Sequence, residues 1–285
     1  MKMYRYTKPS RAWTFKDIRD WYSRADVKFE IIKQTFKRET AFLVPKFIED
    51  EDMSRSSVRM LKIHNVPHLE VSIKATRMME REVPYNMYFS LARYFDGIPN
   101  QHLNFATRDN TSWNHEHFKS MSWFDMLIDI DCGIDNIDYG WSSVMDMAKY
   151  FDALSVPYSV RFSGGGFHIV IPGQYFPRNT SFDPKDANNI YKMQIKIAKH
   201  LYEHRTELID LSIYDSRRIA KIPYSLAVYK DDIFVCHPFN SIEELRAFNP
   251  NDLRIWDYPH EIRNRGVKVF NDFGNLAELF KEVGL

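Results

Sequence analysis

Cysteine is nearly absent from this 285-residue chain, which holds Cys132 and Cys236 alone. Two thiols cannot make a disulfide framework, and no CxxC pair exists, so no structural zinc site is expected. A reducing compartment fits, and the cytoplasm is the expected location. Long apolar runs are missing too. None nears the roughly 18 residues of a membrane-spanning helix, and no apolar leader follows a basic start, so no membrane partner is expected. Neither sign of charge dominates: 39 Lys plus Arg stand against 38 Asp plus Glu. The bulk balance therefore does not announce a nucleic-acid binder. No repeat, low-complexity tract or linker rich in Gly, Ser or Pro divides the chain. One domain over 1–285 is expected, with an N-terminal lobe to about 120, a motif-bearing part over about 121–240 and a helical tail from about 241.

What is present is an ordinary globular composition, 44% hydrophobic and 27% charged. The start is locally basic, with aromatics interleaved in "KMYRYTKPSRAWTFKDIRDWYSR". Such a patch can track phosphates while rings stack on bases. An amphipathic helix with its aromatics in the core explains it better, and apolar spacing predicts that helix over 15–40. The acidic run at 48–59 and the polar stretch 100–118 read as loops, which also accounts for His102, His115 and His117. Residues 82–95 read as partly strand. From Asp125 onward the pattern gives strands "MLIDID", "YSVRFS", "FHIVIPG", "ELIDLSIYD" and "DIFVCHPF", with helices near 141–154, 185–205 and the C-terminus. This mixture without strict alternation predicts an α+β fold.

Three motifs carry chemistry. In "LIDID" the carboxylates of Asp129 and Asp131 share one strand face, and two such groups repel unless they share a proton or a cation. A pair of hard divalent ions, Mg2+ or Mn2+, is the usual remedy beside phosphate; a solvated edge strand is the alternative. In "SGGGFH", Gly164 and Gly165 let backbone amides approach an anion, with Ser163 and His168 at the rims of the turn. A hairpin bend and a core histidine are the plain alternatives. In "LIDLSIYDSRRIAKIPYSL", Asp210 offers a third carboxylate, with Asp215 as its rival, and Arg217, Arg218 and Lys221 offer cations to phosphate.

The order of these motifs resembles the archaeo-eukaryotic primase superfamily, the primase catalytic subunits and primase-polymerases. The likeness spans about 80–240 and includes "REVPYNMYFSLARYF", similar to the Arg-Glu and Arg-Tyr strand pair before that family's first motif. It implies a primase-polymerase fold, an RNA-recognition-motif-like mixed sheet and a second αβ lobe around an open cleft. It implies a template-dependent nucleotidyltransferase making primers on single-stranded DNA by a two-metal mechanism. Asp129, Asp131 and Asp210 would be catalytic and hold two Mg2+ or Mn2+ ions. Ser163, Gly164, Gly165, His168, Arg218 and Lys221 would bind the NTP or dNTP, and Arg81 and Arg93 would line the cleft. A primase large subunit or a replicative helicase is a candidate partner. The chain departs from the pattern in three ways: it has no zinc module, only glycines between Ser163 and His168 in its second motif before Phe167, and Ala227 where a His is common. Arg161, Arg217 or another subunit would then add to the triphosphate grip. A gap-filling repair polymerase, a non-catalytic nucleic-acid-binding subunit and a two-metal phosphodiesterase are the rival readings.

Overall fold

The computed structural model describes residues 6–44, 57–61, 86–95, 118–229, 232–258, 261–262 and 265–285. It opens with two helices, α1 (Phe15–Ser23) and α2 (Ala25–Thr35), where periodicity predicts one. The break is at Arg24, whose backbone is extended and whose N–H donates to the Trp21 carbonyl. Thr14 and Asp17 form a reciprocal capping box at the start of α1. The break leaves Trp21 and Tyr22 buried side by side. Trp21 Nε1 donates to the Tyr224 carbonyl at 2.9 Å, and the Leu226 amide donates to the Tyr22 hydroxyl at 2.9 Å. Two of the N-terminal aromatics are thus core anchors for a distant segment.

One four-stranded sheet runs in the order β2 (Ser57–Leu61), β1 (Thr40–Val44), β3 (Asn86–Ser90), β9 (Ile219–Lys221). A second runs β12 (His237–Pro238), β7 (Ser159–Phe162), β8 (Gly166–Ile171), β6 (Met126–Asp131). Two ribbons complete the strands among the described residues, β4 (Ala92–Tyr94) with β5 (Met121–Phe124), and β10 (Leu226–Tyr229) with β11 (Asp232–Val235). Every pairing of these strands is antiparallel. Helix α3 (Ile137–Ala153) packs on β6 and β8; α4 (Ile190–His204), α5 (Ile242–Arg246) and α6 (Ala277–Val283) follow. The chain is a mixed α+β protein. Among the described residues no helix is long and apolar enough to cross a membrane.

Two expectations need correction. Residues 57–59, read as the end of the 48–59 loop, open β2, while the rest of that run and residues 100–117 lie outside the described residues. The strand-like 207–215 forms no strand. Ile209 makes one antiparallel bridge to Ile130, and the chain then turns into a 3₁₀ helix, Leu211–Ile213. Asp210 causes the turn, because its Oδ1 accepts the Ser212 amide at 2.8 Å and caps the helix.

Two apolar cores lie under these sheets. The larger gathers Ile128, Ile130, Phe162, Phe167 and Ile169 with α3 and α4; the other gathers Ile18, Trp21, Val27, Ile31, Phe89 and Tyr224. A buried ion pair ties distant elements together near β3. Arg38 Nη2 meets Asp125 Oδ2 at 2.5 Å, and Arg38 Nη1 donates to the carbonyls of Ser90 and Leu91. Asp125 Oδ1 accepts the Gly173 amide at 2.8 Å. Removing the carboxylate strands the guanidinium in the interior. Asp125→Ala is expected to lose about 3–5 kcal/mol in urea unfolding; a loss under about 1 kcal/mol contradicts this role.

Candidate functional site

A pocket of about 400 Å³ lies where the two four-stranded sheets meet. Its wall includes Tyr88 from β3, Leu127, Asp129 and Asp131 from β6, the turn Ser163–Gly166, His168, Ile213, Arg218–Lys221, Ala227 and Val228. Strand alternation puts Leu127, Asp129 and Asp131 on the pocket side, while Ile128 and Ile130 are fully buried on the other. Lys221 joins the sheets, since its Nζ donates to the Ser163 carbonyl at 2.6 Å.

The glycine run is a hairpin between β7 and β8, closed by the Ser163 amide donating to the Gly166 carbonyl at 2.9 Å. Gly164 has φ +99°, and a Cβ there would stand 2.5 Å from the Ala227 Cβ. A Cβ on Gly166 would stand 2.1 Å from the Ile130 carbonyl oxygen. Both positions require glycine for close approach, and Gly164 requires it for its positive φ as well. Ala227, which stands where a His is common in the pattern the motifs resemble, is the partner that keeps this tip close.

Register builds the rest. Asp129 pairs with His168 across β6 and β8, and Arg161 pairs with His168 across β7 and β8. His168 Nε2 lies 3.6 Å from Asp129 Oδ1, and Arg161 Nε donates to His168 Nδ1 at 3.2 Å. Burial, with the nearby Arg161 and Lys221 cations, holds His168 well below its ordinary pKa. It is therefore neutral at pH 7. Burial pushes Asp129 up from 3.8 to about 6; Lys221 opposes this, while Asp131 and Asp210 add to it.

Eight of the nine sequence-predicted site residues line this one pocket: Asp129, Asp131, Ser163, Gly164, Gly165, His168, Arg218 and Lys221. Asp210 is not on the wall. Its amide donates to the Asp129 carbonyl at 3.0 Å, so it sits beside β6 with its carboxylate turned to the Ser212 amide. Among the described residues no three acidic, His or Cys side chains gather into a ready metal cage. Arg218 is committed to its own loop, donating to the carbonyls of Ile213 and Ser212 and pairing with Asp215 at 3.0 Å. Arg93 lies over the Trp123 ring, away from the pocket wall. Arg81 lies outside the described residues, as do His102, His115 and His117. Arg161, offered beside Arg217 or another subunit as an addition to the triphosphate grip, is buried behind His168. Counting back symmetrically from a two-residue turn at 164–165 would have placed Arg161 opposite His168. Tyr88 carried no signal in the sequence.

The pocket thus offers two carboxylates to a cation, and a lysine, a turn and a neutral histidine to anionic oxygens. No family model matches the chain, and no curated protein matches it. Among solved structures it is similar to the polymerase domain of Mycobacterium tuberculosis ligase D in complex with DNA, at 13% identity and TM-score 0.48, covering 95% of this chain and 88% of that one. It is also similar to the primase RepB′, at 11% identity and TM-score 0.35, covering 70% of this chain and 51% of that one. At these values neither likeness bears on activity.

The raised pKa of Asp129 has a consequence for stability. Below about pH 4 the group is protonated folded or unfolded, and nothing is lost; as pH rises to about 6 the unfolded chain ionises first, which destabilises the fold. Asp129→Asn lacks this cost. In a chelator, the variant is expected to match wild type near pH 4 and to be more stable by about 2 kcal/mol near pH 7.5. An equal difference at both pH values contradicts the burial account.

Proposed function

We propose that the protein is a metal-dependent nucleotidyltransferase that makes or extends a nucleic-acid strand on a single-stranded DNA template, as a primase or primase-polymerase. One observation carries this reading: residues from three motifs far apart in the chain line a single pocket. The primase-polymerase fold, with its open cleft and RNA-recognition-motif-like sheet, is part of the proposal, as is a single catalytic unit over 1–285. So are an NTP or dNTP substrate, a large subunit or replicative helicase as partner, and a cytoplasmic or nucleoid location.

The donor set suits Mg2+ or Mn2+. Such ions bind through one or two carboxylates and complete their shells with water and substrate phosphates, so a ready three-sided protein cage is not needed. Asp129 and Asp131 are the pair. The raised pKa of Asp129, set first by burial and then by Asp131 and Asp210, marks a carboxylate whose charge the surrounding protein does not fully stabilise. Asp210 braces β6 beside them and is the third carboxylate in reach. Bound there, divalent ions would neutralise phosphate charge and favour attack by a 3′-hydroxyl.

The chain's own part is positioning and charge. Among the described residues the amides of Gly164 and Gly165 donate to no protein acceptor, so they are available to phosphate oxygens. Lys221, held against the hairpin, supplies a fixed positive charge to the same oxygens. His168 Nε2–H and the Ser163 hydroxyl add neutral donors. Arg218 holds the 212–215 loop that carries Ile213 to the wall.

With labelled nucleotides, single-stranded DNA and Mg2+ or Mn2+, wild type is expected to yield product, and unprimed product makes it a primase. The folded double variant Asp129→Ala, Asp131→Ala is expected to lose at least about 100-fold. No product from wild type in any condition refutes the proposal, and loss of label from a strand without added nucleotides points to a phosphodiesterase.

A further inference from the structure

We infer that Arg161 is a positioning residue that fixes the tautomer and direction of His168, so that an N–H donor always faces the pocket. The inference deepens the nucleotide reading above and rests on it for its effect on substrate. Its geometric core does not.

Asp129, His168 and Arg161 stand directly opposite one another on β6, β8 and β7, so a single row crosses three strands. Arg161 is only 5% exposed, with its guanidinium 5.4 Å from the Phe89 ring centre. Its Nε–H donates to His168 Nδ1 at 3.2 Å. A guanidinium can only donate, so Nδ1 must keep its lone pair. In a neutral imidazole the proton then sits on Nε2, the nitrogen 3.6 Å from Asp129 Oδ1 and on the pocket side.

Stability alone explains this arginine badly. Its Nη2 is buried with no hydrogen-bond partner. A guanidinium taken out of water with a nitrogen unpaired costs more than an apolar side chain of similar volume. Orientation of the histidine explains it directly. With an apolar residue at 161, the ring can carry its proton on either nitrogen and can present a lone pair to an anionic oxygen. An outer partner of this kind typically changes affinity or activity by about 10- to 100-fold.

The test uses the full chain with 15N-labelled histidine and long-range proton–nitrogen correlation, with His168 assigned by the signals lost in His168→Gln. Wild type is expected to show protonated Nε2 and bare Nδ1 at position 168. In Arg161→Met the same ring is expected to show mixed tautomers, and KM for the incorporated nucleotide is expected to rise about 10- to 100-fold with kcat less affected. A loss of folded protein would lower kcat and leave KM in place. A protonated Nδ1 in wild type overturns the inference even if the variant does not fold. So does an unchanged Nε2–H tautomer in a folded Arg161→Met. If wild type shows the Nε2–H tautomer but incorporates no nucleotide, the positioning role holds and the nucleotide reading fails.

Discussion

Because β6 pairs with β8 in the register Asp129 to His168 and Asp131 to Gly166, two carboxylates and the hairpin that faces them reach the pocket from one sheet edge. A slip of one residue would send both acids into the larger core and Ile128 and Ile130 outward. Gly166 guards that register, since only a residue without Cβ tolerates the Ile130 carbonyl so close. The acids, the turn and the histidine therefore depend on one strand pairing, and that pairing is fixed by burial on the opposite face.

The second sheet supplies what this edge lacks. Asp129 is half-buried among like charges, with a side chain 28% exposed, and its main opposing charge is Lys221. Lys221 comes from β9, which is held to β3 by register and continues into the segment that α1 clasps through Trp21 and Tyr22. The Arg38–Asp125 pair links β3 to the approach of β6. Contacts remote from the pocket thus set how much positive charge reaches Asp129. An electrostatic balance of this kind shifts with the spacing of the two sheets.

Much of the pocket was legible because its signals are local. Acids at i and i+2 within an apolar strand, and glycines between two strands, report their own geometry through periodicity and turn chemistry. The mixed α+β class was legible from the same periods. The break at Arg24 was not, because it serves a tertiary contact, the seating of Trp21 and Tyr22 on residues 224–226. Nor was the turn at Asp210. Two apolar residues before an acid look alike whether the acid ends a strand or caps a 3₁₀ helix, and the choice rests on one hydrogen bond to Ser212. Arg217-Arg218 read as a basic cluster, yet Arg218 spends its donors on its own loop and on Asp215. Charge is visible in a sequence; the partner that satisfies it is not.

The central claim is that a cation held by Asp129 and Asp131 and the phosphates held by the 163–166 turn occupy one pocket. Paramagnetic broadening tests it directly. When Mn2+ is titrated with a nucleoside triphosphate into the 15N-labelled protein, the amide signals of residues 129–131 and 163–166 are expected to broaden together and first, with those of α2 and α6 unaffected. Broadening that begins elsewhere, or that spreads evenly over the chain, would contradict the account.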